Sequence, residues 1–148
     1  MKQIPLTQNK FTLVDDEDFE YLSQWKWQFG GHRYAVRTIN HSQKLYMHRI
    51  ILNAPKDKQI DHINHNELDN RKNNLRLVTI QQNFFNSLPH KDSISGLKGV
   101  YLRRKDQKWI VYLKRKFIGS FLSKIEAAEA YNRIAKKEYG KYAYLNII

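Results

Sequence analysis

Two short strand-like segments, Lys58 to His62 and Leu75 to Val78, bracket a loop crowded with Asn and Asp. Asn and Asp side chains hydrogen-bond nearby backbone, so such a loop favours tight turns over an extended excursion. The two segments are then positioned to pair as strands. Thr79 and Gln82 follow with the spacing of a capping box, in which side chains satisfy the free N–H groups at a helix start. Asn83 falls in the first turns of that helix. The stretch therefore reads as strand, loop, strand, helix, with Asp61 and His62 at the end of the first strand.

Those residue types suit phosphodiester hydrolysis. Water must lose a proton as it attacks phosphorus, and a neutral His is a suitable base near pH 7. The departing oxygen needs its charge stabilised, which a divalent cation can do. Asp61 can supply a charged oxygen ligand and Asn83 an amide oxygen, while Asn74 could hold the His62 ring in its orientation and tautomer. So few protein ligands leave positions for phosphate and water, which suits Mg²⁺ or Mn²⁺ better than a closed zinc site. The same residues have plainer uses: an Asp-His pair in surface hydrogen bonding, Asn in turns, and Arg71 and Arg76 bridging loop carboxylates instead of touching phosphate.

Upstream, Lys10 to Val14 reads as a strand, and Asp15 or Asp16 starts a helix through Phe19 and Leu22, since acidic residues favour the positive helix end. Trp25, Trp27 and Phe29 alternate at strand period. Gly30-Gly31 can supply positive φ for a hairpin, Arg33 to Thr38 the returning strand, and Lys44 to Met47 a third. His48 to Asn53 is a short apolar segment halted by Ala54-Pro55, and Leu88 to Ser93 reads as a linker.

Charge narrows the partners. The 148 residues carry 26 Lys and Arg against 14 Asp and Glu, a net of +12, which favours a polyanion, either nucleic acid or an acidic membrane surface. Residues 1–90 hold 12 basic and 9 acidic side chains and all six His; residues 91–148 hold 14 and 5, a net of +9. Chemistry and electrostatic grip are thus expected in different places. With no Cys, disulfides, thiolate metal sites and cysteine nucleophiles are excluded. No apolar run is long enough for a membrane span, and the N-terminus lacks the apolar stretch of a signal peptide, so an intracellular, reducing location fits.

From Gly99 three short strands are expected, Val100 to Arg103, Trp109 to Leu113 and Phe117 to Phe121, with polar turns around Asp106 and Arg115. Ser123 and Glu126 form a capping box. Ala127, Tyr131, Ala135 and Tyr139 then mark one face of an amphipathic helix that Gly140 ends. Val100, Leu102, Trp109, Val111 and Leu113 should pack on that helix. Tyr101, Arg103, Tyr112 and Lys114 are left on an open, basic and aromatic sheet face.

Residues from about 44 to 86 resemble the HNH, or ββα-metal, nucleases, particularly their phage homing branch. The resemblance rests on Met47-His48-Arg49, Ile60-Asp61-His62, Asp69-Asn70-Arg71, Asn74-Leu75-Arg76, Thr79 and Asn83. It implies His62 as general base, Asn74 as the residue positioning it, and Asp61 and Asn83 as metal ligands. The third signature position is Asn83 instead of His, as in homing members. His65 stands where the family often has Gly. His48 and Arg49 match a recurrent pair, for phosphate contact or support of the site.

Residues 94–148 are similar to the APETALA/ethylene-responsive-factor DNA-binding domain. Ser95-Gly96, Lys98-Gly99-Val100, Arg103, Lys108-Trp109, Ile118-Gly119, Phe121, Glu126-Ala127-Ala128, Ala130-Tyr131, Gly140, Ala143 and Leu145-Asn146 carry the likeness. It implies a sheet that reads double-stranded DNA through Arg103, Lys114 and Arg115, with Lys98, Arg104 and Lys116 beside them. Tyr101 and Tyr112, on the same face, replace residues that are charged in the plant domains.

The expectation is an α+β protein. A small N-terminal sheet with a ββα-metal unit spans residues 1–90, and a three-stranded antiparallel sheet on one helix spans 94–148. The expected activity is a phage- or prophage-type homing endonuclease using Mg²⁺ or Mn²⁺ in a bacterial cytoplasm, as monomer or homodimer. The rival is a DNA-binding regulator whose nuclease centre is inactive.

Overall fold

The computed structural model describes residues 1–40 and 42–148. The fold is α+β, with small antiparallel sheets and four α-helices distributed over two compact units, Met1–Ile80 and Gln81–Ile148.

In the first unit, β1 (Lys2–Pro5) pairs antiparallel with β2 (Phe11–Val14), and α1 (Asp16–Ser23) follows. Asp15 precedes the helix without capping it; its Oδ2 instead accepts a 2.7 Å hydrogen bond from the backbone N–H of Lys72. β3 (Gln28–Phe29), β4 (Ala35–Ile39) and β5 (Gln43–Tyr46) form an antiparallel three-stranded sheet. The strand expected across Trp25 to Phe29 is only its last two residues. Trp27 is buried below the end of α1, its indole N–H donating to the Leu22 carbonyl at 2.8 Å. The positive φ angles expected at the glycine pair fall on His32 (60°) and Arg33 (68°), whereas Gly30 has φ −109°. Gly30 is required for closeness instead: a Cβ there would lie 2.2 Å from Val36 Cγ2.

The segment 48–53 begins as a short helix, α2 (Met47–Ile51). β6 (Gln59–His62) and β7 (Leu75–Val78) pair antiparallel with Asp61 opposite Arg76 and His62 opposite Leu75. β2 anchors the loop between them. Leu13 N–H donates to the Leu68 carbonyl and Asn70 N–H to the Leu13 carbonyl, both at 2.8 Å. Ile4, Val14, Leu22, Trp27, Ala35 and Met47 form the core of this unit.

α3 (Ile80–Asn86) leads into the second unit, where β8 (Val100–Arg103), β9 (Lys108–Leu113) and β10 (Lys116–Phe121) form an antiparallel sheet in the order β10-β9-β8. α4 (Lys124–Tyr139) starts at Ser123, whose Oγ accepts from the N–H groups of Ile125 and Glu126. Its apolar stripe, Ala127, Tyr131, Ala135 and Tyr139, buries Val100, Val111 and Leu113. Gly99 has φ +72°, and a Cβ there would sit 2.3 Å from the Tyr131 ring, so sheet and helix meet only because it is glycine. Asn146 staples the C-terminus to β8 by accepting from Lys98 N–H (2.7 Å) and donating to its carbonyl (3.1 Å). No helix among the described residues is long and apolar enough to cross a membrane.

Candidate active site

Asp61 and His62 close β6 and are both buried, at 6% and 5% exposure. The hydrogen bonds behind His62 settle its tautomer. The Leu68 carbonyl can only accept, so Thr12 Oγ1 donates to it, at 2.8 Å. Thr12 Oγ1 in turn accepts from Asn70 Nδ2 at 2.7 Å. The Asn70 carbonyl oxygen therefore faces His62 Nε2, 3.2 Å away, and accepts its hydrogen. A neutral ring then carries its proton on Nε2 and leaves Nδ1 as a proton acceptor.

An aromatic cage encloses the ring. Tyr34 stacks on it at 5.8 Å, and His48 meets it edge-on at 5.3 Å. Burial lowers the pKa of His62, opposed by the hydrogen bond to Asn70 and by the carboxylates of Glu67, Asp61 and Asp69. The ring is thus neutral, and able to take a proton, at pH 7. Burial, with smaller effects from His62 and Arg49, pushes His48 down to about 3. Among the described residues its buried Nδ1 has no hydrogen-bond partner.

Asn74 does not hold the ring, contrary to the sequence expectation. It ends a 3-10 turn (Lys72–Asn74) beyond the strand end and reaches backbone groups instead. Its Oδ1 accepts from Asn64 N–H (3.0 Å), and its Nδ2 donates to the Asp69 carbonyl (2.8 Å). Asn74 therefore fixes the loop, and Asn70 fixes the histidine. Asn70 belongs to a motif visible in the sequence, but Thr12 and Tyr34 lie far away in the chain and carry no local signal.

Asp61 Oδ2 accepts from both Nε (2.8 Å) and a terminal nitrogen (2.6 Å) of Arg76. Arg71 makes a similar two-bond pair with Asp69, both contacts at 2.7 Å, and holds that carboxyl below its usual range. Arg49 donates to the carbonyls of Ala54, Pro55 and Lys58. Of the alternatives open in the sequence, bridging describes Arg71 and Arg76 and internal support describes Arg49. His48, expected either at phosphate or in support of the site, is walled in by the cage because Tyr34, Tyr46 and His62 surround it. Asn83 is half-buried on α3, in the second unit.

Among the described residues no group of three or more His, Asp or Glu side chains is arranged to hold a metal. The Asp61 carboxylate is a hard oxygen donor of the kind that suits a divalent cation keeping most of its coordination for water and phosphate.

The HNH endonuclease family model matches residues 46–84. An HNH endonuclease of Acanthamoeba polyphaga mimivirus, described as uncharacterised, is 32% identical over 147 residues, covering 93% of this chain and 75% of that protein. The chain belongs to the HNH endonuclease family. Protein 3.8 of Escherichia phage T7 is 38% identical to this endonuclease over 55 residues, 37% of the chain and 46% of the phage protein. No solved structure matches. The family match takes in α2, both strands of the β6–β7 pair and the start of α3, so every residue of the His62 environment except Thr12 and Tyr34 lies inside it. As an HNH endonuclease, the protein is a nuclease acting on DNA.

The second unit holds the remaining expected contacts. Arg104, Lys114, Arg115 and Lys116 are exposed. Arg103 is clamped by Asp106 through bonds of 2.8 and 2.5 Å. Lys98, expected to touch DNA, turns inward: its Nζ donates to the carbonyls of Phe84, Phe85 and Ser87 and caps the C-terminal end of α3. That burial lowers its pKa to about 8.

Proposed function

We propose that this endonuclease hydrolyses DNA phosphodiester bonds with His62 Nδ1 as general base, assisted by a divalent cation, Mg²⁺ or Mn²⁺. The reading is carried by the relay from the Leu68 carbonyl through Thr12 and Asn70, which leaves Nδ1 of the neutral ring unprotonated. Water attacks phosphorus, its proton passes to Nδ1, and the bond to the departing sugar oxygen breaks. Asp61 would supply one protein ligand to the cation; Asn83 is taken as the second from the family spacing alone. When bound, the cation supplies positive charge for the leaving oxygen. Asn74 keeps the loop in register, and Asn70 keeps the base in its working tautomer.

Residues 94–148 are read as a DNA-binding domain of the APETALA/ethylene-responsive-factor type, distinct from a nuclease domain at 1–90. The three strands on one helix, the net charge of +9 over 91–148 and the exposed Arg104, Lys114, Arg115 and Lys116 support that reading. The biological setting proposed is a homing-type role in a phage or prophage; a phage T7 protein is among the relatives.

The test is a supercoiled plasmid assay with Mg²⁺, repeated on a randomised target library. Wild type should give relaxed or linear product. His62→Ala and an EDTA control should give none, with His62→Ala still binding DNA. Cleavage by His62→Ala would remove the assigned base, and binding without cleavage by wild type would make the chain a regulator.

A further inference from the structure

Tyr101 on β8, Tyr112 on β9 and Phe117 on β10 place one aromatic ring on each strand of the second unit's sheet. Their exposures of 57, 41 and 54% are far above those of aromatics serving a core. The rings touch in series. Tyr101 and Tyr112 are 6.1 Å apart at 65°, and Tyr112 and Phe117, directly opposed across the β9–β10 pair, are 5.9 Å apart at 66°. Tyr101 and Tyr112 also line a cavity of about 630 Å³ whose wall includes Lys114 and Arg115 and no carboxylate.

Duplex DNA is poorly matched to this face. Bases in a duplex stack on one another and offer a protein only their edges, which are read by paired donors and acceptors. Here aromatic rings occupy those positions, and Arg103, the guanidinium aligned with Tyr101 on β8, is held by Asp106. An unpaired strand offers the ring faces of its bases, which stack on aromatic side chains with little dependence on sequence, and a phosphate backbone for flanking cations.

We propose that this aromatic row is a binding site for single-stranded DNA, with bases against Tyr101, Tyr112 and Phe117 and phosphates at Lys114 and Arg115. The endonuclease would then grip an unpaired segment of its DNA through the second unit. This inference rests on the reading of residues 94–148 as the DNA-binding part of the chain.

Fluorescence anisotropy of the full chain in EDTA, which prevents cutting, tests it with two labelled probes: a twenty-nucleotide oligothymidine and its duplex with oligoadenosine. Alanine at Tyr101, Tyr112 or Phe117 should weaken oligothymidine binding by about 5- to 100-fold per ring, with the salt slope unchanged. Tyr112→Phe should bind as wild type, and duplex binding should change less than about threefold. Because these side chains are exposed, thermal melts of the variants should overlay the wild type. Equal losses on both probes would mean that the face reads duplex, and no loss on either would remove the stacking site. Arg115→Glu with Lys116→Glu gives the separate control: if both probes then bind as before, the DNA-binding reading itself fails, whatever the aromatic variants do.

Discussion

Asn70 is wholly buried and links Thr12 to the His62 ring, so on the proposed mechanism it acts through the base it holds. Asn70→Ala removes the acceptor at Nε2 and lets the ring change tautomer. It should lower kcat about 10- to 100-fold with KM nearly unchanged. Asn70→Asp keeps an acceptor at that position and should recover most of kcat, an outcome that a purely structural role for Asn70 would not give. His48 supplies a pH dependence of stability. Its folded pKa, near 3, lies below the ordinary value of 6.5, so the unfolded chain binds a proton between those values and the folded chain does not. Stability is therefore intact above pH 6.5 and falls as the pH drops towards 3, by about 1.4 kcal/mol per unit. Between pH 7 and 5 the loss from His48 should be about 2 kcal/mol in urea titrations. His48→Phe, which keeps a ring against Tyr34 and His62, should remove that part and leave a smaller slope from His62, whose pKa is lowered in the same direction.

The β9–β10 turn shows a local cost kept in a functional place. Lys114 and Arg115 both have positive φ, 49° and 64°, the geometry of a two-residue hairpin that normally selects Asn-Gly. L-residues in that region are strained by about 1 kcal/mol each. Replacing the pair with Asn-Gly should raise the unfolding free energy by about 1 kcal/mol and weaken DNA binding, a trade expected if these cations sit there for the ligand. Elements with complete local signals were legible in the sequence. The strand pair around Asp61 had its flanking segments and loop chemistry, and α4 had Ser123 and the four-residue recurrence of Ala127 to Tyr139. The Trp25–Trp27 alternation misled because periodicity does not reveal that Trp27 hydrogen-bonds the end of α1 rather than a neighbouring strand. The tautomer relay was hidden for a similar reason. The sequence pointed to Asn74, whereas the contact to His62 comes from Asn70, which is held by Thr12, 58 residues away, on a strand whose pairing no local pattern specifies. The carbonyl contacts of Lys98 were not legible, because a cation beside a glycine turn looks the same in sequence whether it faces phosphate or helix carbonyls. Lys98→Met should lower the thermal midpoint while leaving the salt slope of DNA binding unaltered.

At the scale of the molecule, charge and chemistry are segregated along the chain. The base, its relay and all six His lie within residues 1–90, whereas the net charge over 91–148 is +9. If the second part binds DNA as proposed, its attraction depends on releasing counterions from the phosphates, and each neutralised phosphate contributes about 0.9 to the log–log slope of affinity against salt. Proton transfer to buried His62 involves no such release. Substituting Arg104, Arg115 and Lys116 together with Ala should therefore reduce the salt slope of binding by about 2–3 and raise KM steeply at physiological ionic strength. kcat at saturating DNA should stay within about twofold of wild type, because groups that bind substrate and transition state equally well change KM alone. A parallel fall in kcat would mean that the basic segment also orients the scissile phosphate against His62. Its cations would then act in the transition state, and grip and chemistry would be one function rather than two.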